Sequence, residues 1–361
     1  MEINMHHVLR EAMDRKASDV HITTGLPIMF RLSGELWPYG TEVLTSNDTS
    51  DIIYKLIQDD GLRAQLELNG QVDCAISVPG VGRFRANAYK QRGSNALALR
   101  PVNSKVPSAS DLNLPKQLVQ DVLEANKGLI LVTGPTGSGK STTLAALINE
   151  INTNRRRHII TLEDPIEFLH RHNKSMVNQR EIGLDCISYA QGLKGALRED
   201  PDVILIGEMR DVETISIALE AAETGHLVFS TLHTISASET VSRVVSTFPA
   251  EEQDRVRAQL ALVLSGVVSQ QLIPKVGGGR ALAMEYMRKS TAISTLIRDD
   301  KLQQIRGMIK NAKAQGMMEM DDSILELFKQ GLITEDNAIY YAREKDEVRS
   351  DLAKIKNLRR R

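Results

Sequence analysis

One octapeptide constrains this chain more than any other feature. Gly134-Pro-Thr-Gly-Ser-Gly-Lys-Ser141 matches the pattern G-x-x-x-x-G-K-[ST] at every fixed position, and it separates two segments of different period. Before it, Gly128-Leu-Ile-Leu-Val-Thr133 is an unbroken apolar run, as expected of a strand buried on both faces of a parallel sheet. After it, Thr142 to Asn154 carries Leu144, Leu147, Ile148 and Ile151 at helical spacing. Strand, glycine loop and helix together make a phosphate-binding unit.

The residue types follow from that chemistry. Gly134, Gly137 and Gly139 let backbone N–H groups curl round phosphate oxygens where a Cβ would obstruct them. Pro135, Thr136 and Ser138 complete the curl, and Thr142 continues into the helix, whose N-terminal partial charge favours an anion. Lys140 is placed to reach the β- and γ-phosphates, and the Ser141 hydroxyl to hold Mg²⁺. The expected ligands are ATP and Mg²⁺.

With 361 residues the chain has room for two cores. A formal net charge of −1 gives no electrostatic reason to expect nucleic acid. Cys74 and Cys186 stand far apart without CxxC spacing, so they read as thiols of a reducing compartment. The N-terminus lacks the charge and apolar pattern of a signal peptide, and no apolar run approaches a membrane span. The expectation is a cytoplasmic protein whose membrane contact is peripheral, with Lys354 to Arg361 as a solvated basic tail.

Residues 3–16 read as an amphipathic helix, followed by short strands at 20–22, 28–32 and 34–37, one helix over 48–68, and strands at 72–78 and 82–89. These form a small α+β domain, residues 1–100. In Gly82-Arg-Phe-Arg-Ala-Asn-Ala-Tyr89, alternation puts Phe84, Ala86 and Ala88 on one face and projects Arg83 and Arg85 from the other. Residues 101–113, rich in proline and serine, read as a linker.

Beyond the glycine loop, strands are expected at 158–162, 203–206 and 227–232, alternating with helices at 188–199 and 211–224. Gly192 and Gly195 fall inside the first of these helices at about 1 kcal/mol each relative to alanine, and nothing in the sequence explains them. Alternating strands and helices mean a parallel sheet covered on both sides, spanning 114–285. Residues 249–271 read as a helix pair, and 286–361 as a helical region ending in the basic tail.

Ligands of such sheets sit outside the carboxyl ends of the strands. Glu163 and Asp164 end the second strand, Glu208 follows the third, and Thr231 and His233 close the fourth. A carboxylate there can hold Mg²⁺ or orient the water that attacks the γ-phosphate. Glu208 is the first choice for that carboxylate and Glu163 the second, with Asp164 and Glu167 as competitors. His233 is placed to hydrogen-bond the γ-phosphate. His226, ahead of its strand, would have to serve a neighbouring subunit's site.

Four segments in order resemble the secretion ATPases of type II secretion and type IV pili, in particular their pilus-retraction (twitching motility) branch. They are Gly134 to Thr143, Thr161-Leu-Glu-Asp-Pro-Ile-Glu-Phe168, Leu197 to Asp211, and Gly225-His-Leu-Val-Phe-Ser-Thr-Leu-His-Thr234. Ser18-Asp-Val-His-Ile22 and residues 82–89 resemble the N-terminal domain of that family as well. The resemblance implies a RecA-like P-loop NTPase domain of α/β class, a smaller N-terminal PAS-like domain and a C-terminal helical appendage, assembled as a homo-hexamer. It implies Glu208 as the Walker B acid, Glu163 as the acid-box glutamate, and His226 with His233 as the histidine-box pair. Arg83 and Arg85 become arginines reaching ATP in the next subunit.

The implied partners are an inner-membrane pilus platform protein (PilC-like) and, indirectly, pilin; nucleic acid is not among them. Ala292-Ile-Ser-Thr-Leu-Ile-Arg-Asp299 departs from the Ala-Ile-Arg-Asn-Leu-Ile-Arg-Glu motif of the retraction branch. Alternatives are therefore a sister ATPase of type II secretion or DNA uptake, a RecA-like nucleic-acid translocase and a phosphotransferase. An aromatic content of 4% and balanced charge stand against the translocase, which would need stacking platforms in a basic groove.

Overall fold

The computed structural model describes residues 3–102 and 105–359, the side chains of 357–359 excepted. Asn103 and Ser104 of the expected linker, and Arg360 and Arg361 of the expected tail, lie outside the described residues. The chain divides into two compact units, Met1–Lys105 with Glu167–Leu169, and Val106–Ile166 with His170–Arg361.

The first unit opens with α1 (Met5–Asp14), which buries Met5, Val8, Leu9 and Ala12, one stripe at helical spacing. Strands β1 (Asp19–Ile22), β2 (Ile28–Leu32) and β3 (Glu35–Tyr39) follow. The stretch 48–68, expected as one helix, is two: α2 (Ser46–Leu56) and α3 (Asp60–Asn69). The break comes from Asp59, whose carboxylate accepts from the Leu62 N–H at 2.9 Å and starts a new helix by capping it. Then come β4 (Gln71–Val78), β5 (Gly82–Gln91) and β6 (Ser94–Pro101). The sheet order is β3-β2-β1-β6-β5-β4, so the unanticipated β6 lies near its centre, antiparallel to both β1 and β5. On β5, Phe84, Ala86 and Ala88 are buried.

The second unit contains α4 (Lys116–Glu124), β7 (Gly128–Thr133), α5 (Lys140–Asn154), β8 (His158–Glu163), β9 (Met176–Glu181), α6 (Tyr189–Ala196), β10 (Val203–Ile206), α7 (Val212–Thr224) and β11 (Leu227–Leu232). After α8 (Ala237–Ser246), the expected helix pair is one helix, α9 (Gln253–Val263), and one strand, β12 (Leu264–Pro274). Leu264, Val267 and Val268 look helical in spacing, but Ser265-Gly266 ends the helix, and the adjacent Val267 and Val268 are both buried because they lie on opposite faces of a covered strand. β13 (Arg280–Arg288) returns antiparallel to β12. The sheet order is β13-β12-β7-β11-β10-β8-β9, and every pairing except β12 with β13 is parallel.

Helix α6 explains one of its two glycines. A Cβ on Gly192 would meet Cys186 Sγ at 3.0 Å and Leu162 Cδ2 at 3.1 Å, so the helix packs on Leu162 of β8 closely enough that an alanine would need its neighbours to give way. At Gly195 the nearest atom would be 3.5 Å away, ordinary contact, and that glycine is not explained.

The remaining helices are α10 (Thr291–Arg298), α11 (Ile305–Asn311), α12 (Met320–Lys329), α13 (Glu335–Tyr341) and α14 (Lys345–Arg359). Ile324, Ala338, Val348 and Leu352 bury against Ile273, Ala281 and Ala283 of the β12–β13 hairpin. The basic stretch is therefore no loose tail at its start: Lys354 and Lys356 are among the exposed positions of α14, which is anchored by Leu352. Among the described residues no helix is long and apolar enough to cross a membrane.

Candidate functional site

The glycine loop leaves β7 into a tight space. Gly134 has φ 146°, and a Cβ there would lie 2.3 Å from the Gln270 carbonyl oxygen and 2.6 Å from Ser138 Oγ. Gln270 on β12 braces the loop from that side, its Nε2 donating to the Ser138 carbonyl at 2.7 Å. One residue earlier the two strands are joined by the Thr133 and Ser269 hydroxyls, 2.9 Å apart.

Helix α5 is capped by Gly139 in the left-handed region with no side-chain hydrogen bond, so its first N–H groups point into the loop. Lys140 Nζ lies across the mouth, donating to the carbonyls of Gly134 at 2.8 Å and Pro135 at 3.3 Å. The buried Ser138 hydroxyl has no partner among the described residues. A cradle that a Cβ would fill, an unused helix start and an orphaned buried hydroxyl suit a di- or triphosphate. A cavity of about 790 Å³ adjoins the loop, lined by Gly139 and Thr142 of the loop and α5, Leu272 and Arg280 of the hairpin, and Glu326 of α12. Its size admits a nucleoside.

The strand ends stand level. Ile206 pairs in register with Leu162 on one side and Ser230 on the other, and Leu232 with Thr133. Glu163, Glu208, His233 and the glycine loop therefore share one rim. Glu208 Oε2 takes Arg210 Nη2 at 2.6 Å, and Oε1 faces His233 Nε2 at 3.3 Å. Burial pushes the Glu208 carboxyl up, but the Arg210 hydrogen bond and charge, with His233, outweigh it and hold the group below its ordinary value. The turn carrying it is pinned by two hydroxyls, Thr231 to the Gly207 carbonyl at 2.6 Å and Ser230 to the Ile206 carbonyl at 2.8 Å.

Glu163 has a different environment: Oε1 accepts from the Thr161 hydroxyl at 2.7 Å and Gln179 Nε2 at 3.0 Å. Behind the two acids stands Tyr189, whose hydroxyl is pushed up by burial and by the nearby Asp164 and Glu208 carboxylates, and so stays a neutral phenol. The rim thus presents a carboxylate ionised at neutral pH, a second fixed by neutral donors, an imidazole, and an ammonium at the anion cradle. That set can bind a nucleoside triphosphate, hold a divalent cation through Ser141 and Glu208, and orient a water.

His226 is not brought to this rim. It precedes β11, its Nδ1 lies 2.9 Å from the Ala221 carbonyl and its own carbonyl accepts from Gly128 N–H at 3.0 Å, at the start of β7. The length of β11, about 20 Å, separates it from His233. Asp202 lies at the same amino end, bound to the His158 N–H at 2.8 Å and Arg157 Nη1 at 3.1 Å.

Arg83 and Arg85 belong to the first unit. Arg85 is exposed on β5 directly opposite Arg100, whose partner is Asp19 at 2.8 Å. Like charges facing across a ladder are unfavourable unless an anion joins them.

Three site residues were not singled out from the sequence. Arg210 had a signal: Met209 between it and Glu208 is apolar and buried, so Glu208 and Arg210 share a side. Gln179 and Gln270 have none, since β9 is a mostly polar edge strand and β12 continues the helical spacing of α9.

Residues 1–283 match the family described as type II/IV secretion system protein. The chain is 46% identical over 332 residues to the type IV pilus retraction ATPase PilT of Pseudomonas aeruginosa, covering 92% of this chain and 95% of that one. It is 44% identical over 311 residues to a twitching motility protein of Neisseria gonorrhoeae, covering 86% and 83%. It superposes on a crystal structure of the pilus retraction motor PilT with bound ADP with a TM-score of 0.88 and 46% identity, covering 96% of this chain and 99% of that one.

Proposed function

Because the chain belongs to the type II/IV secretion system protein family, we propose that it is an ATP-hydrolysing motor that retracts a type IV pilus. The observation that carries this reading is Glu208, ionised and fixed at the rim that also holds the glycine loop.

The triphosphate lies over residues 134–142, with Lys140 leaving its carbonyl partners for the β- and γ-phosphate oxygens. Mg²⁺, held by the Ser141 hydroxyl and Glu208, would offset charge on those phosphates. Glu208 orients the attacking water and accepts its proton; Glu163 is the second acid of the site. His233, against Glu208, senses the γ-phosphate.

Six copies form a ring in which Arg83 and Arg85 of one subunit reach the nucleotide of the next and stabilise charge in the transition state. His226 serves a neighbouring subunit in the same way. Hydrolysis changes the setting of one domain on the other through residues 101–113 and passes force to an inner-membrane platform protein (PilC-like), and so to pilin, at the cytoplasmic face of the membrane.

Two measurements test this. Phosphate release by the purified chain should vanish in Lys140→Ala while the circular dichroism spectrum is unchanged; surviving turnover would remove the loop from catalysis. Deleting the gene should leave excess pili and abolish surface motility. Absent pili would mean assembly instead, and normal pili with failed secretion or DNA uptake would assign the motor to a sister system.

A further inference from the structure

We propose that Arg343 is a positioning residue for hydrolysis, holding the His233 loop in place through Glu285 and so tying the C-terminal helices to the catalytic rim. The inference rests on the ATPase reading of that rim.

The loop between β11 and α8 is four residues, His233 to Ser236, and each one after the histidine is tied down. The Thr234 hydroxyl meets that of Thr240 at 2.7 Å, Ile235 N–H donates to Glu239 Oε2 at 3.1 Å, and Ser236 caps α8 by accepting from Glu239 N–H at 3.2 Å. These bonds make the loop and the start of α8 one body. What fixes that body is Glu285 of β13, only 1% exposed, whose Oε1 accepts from the Ala237 N–H at 2.8 Å.

The other oxygen of Glu285 is bound by Arg343 Nη1, and Arg343 Nη2 donates to the Ile235 carbonyl. One guanidinium fork thus spans the buried acid and the loop two residues from His233. Arg343 lies in the turn between α13 and α14. Its backbone N–H donates to Asp321 Oδ1 at 2.8 Å, and that of Glu344 to Asp321 Oδ2 at 2.9 Å. Asp321 is itself held by Arg306 Nη2 at 3.2 Å.

A buried ion pair is an expensive way to fill space, since apolar side chains of like volume stabilise as well or better. Its use here is geometric. A fork with two donors in a fixed plane sets the Ile235 carbonyl relative to β13, which a lysine cannot do. A shift of the α13–α14 turn therefore moves the loop and changes the 3.3 Å approach of His233 to Glu208.

The test is a double-mutant cycle in the full chain, with ATP turnover and ADP binding as readouts. Arg343→Lys keeps a charge for Glu285 and loses the second donor. It should lower kcat about tenfold with KM for ATP and ADP affinity within about twofold, and in a His233→Ala background the same change should cost less than about twofold. Glu285→Gln, which keeps an acceptor for the Ala237 N–H, should give the same pattern. Near wild-type kcat in both variants, a matching loss of ADP affinity, or losses that add in full to that of His233→Ala overturns the proposal. Absence of phosphate release from the wild-type chain would instead sink the ATPase reading.

Discussion

Glu208 and His233 meet at 3.3 Å across the ends of neighbouring strands, β10 and β11, with Arg210 occupying the far oxygen of the carboxylate. The acid is ionised, oriented and level with the glycine loop. Glu208→Gln keeps the shape and removes the charge. It should retain ATP binding, measured by titration calorimetry, and lower kcat by about 10²- to 10⁴-fold. A near-normal kcat would move the role to Glu163.

Arg210→Ala should alter the acid side of the pH profile. The folded Glu208 carboxyl titrates below its ordinary value of 4.5, so the folded state favours its ionised form. The stability this contributes is complete above that value and is lost as pH falls through the lowered one. Without Arg210 the folded value rises: the acid limb of kcat/KM should move to higher pH, and the urea midpoint should fall less as pH is lowered below 4.5. An unmoved acid limb would separate Glu208 from the rate.

Gly134→Ala and Gly137→Ala should differ. The first drives a Cβ into the Gln270 carbonyl, 2.3 Å away, whereas a Cβ on Gly137 meets nothing within 4 Å and strains only the φ of 77°. The Gly137 change should cost about 1–2 kcal/mol in the thermal unfolding of the chain. The Gly134 change should cost more and abolish binding of a fluorescent ADP analogue. Equal effects would mean that the loop relaxes away from β12.

Leu352→Ala tests whether α14 is structural. The side chain is fully buried, so its truncation should destabilise the second unit by about 2–5 kcal/mol in a urea titration. A cost within about 0.5 kcal/mol, as for a surface position, would restore the reading of a solvated tail.

Arg83→Ala with Arg85→Ala should abolish turnover in a ring of identical subunits. Mixed with Lys140→Ala subunits, some activity should return, because each intact loop then faces intact arginines at some interfaces. No recovery at any mixing ratio would confine the arginines to the surface of β5.

Strands β7, β8, β10 and β11 are legible because a strand covered on both faces is mostly apolar and β-branched, and such runs ending in Gly134, Glu163, Glu208 and His233 announce the rim. At β12 the helical spacing of α9 runs on through Leu264 and Val267, and only Ser265-Gly266 marks the change from helix to strand. The apolar run is missing at β9, an edge strand that buries only Val177 and Glu181, and with it Gln179 is lost. The Glu285–Arg343 pair is separated by 58 residues, and no local pattern signals it: a buried acid and its arginine look like any two charges until the hairpin and the last helices are packed.

The strand bearing the glycine loop and the strand leading to Glu208 are not neighbours, since β11 runs between them. Each step across a sheet is about 4.8 Å, so the cradle and the acid are set roughly 10 Å apart. That gap has room for a terminal phosphoryl group and a water, whereas an acid one strand nearer would crowd a phosphate and repel it. The width of a single intervening strand thus sets the working clearance of the motor.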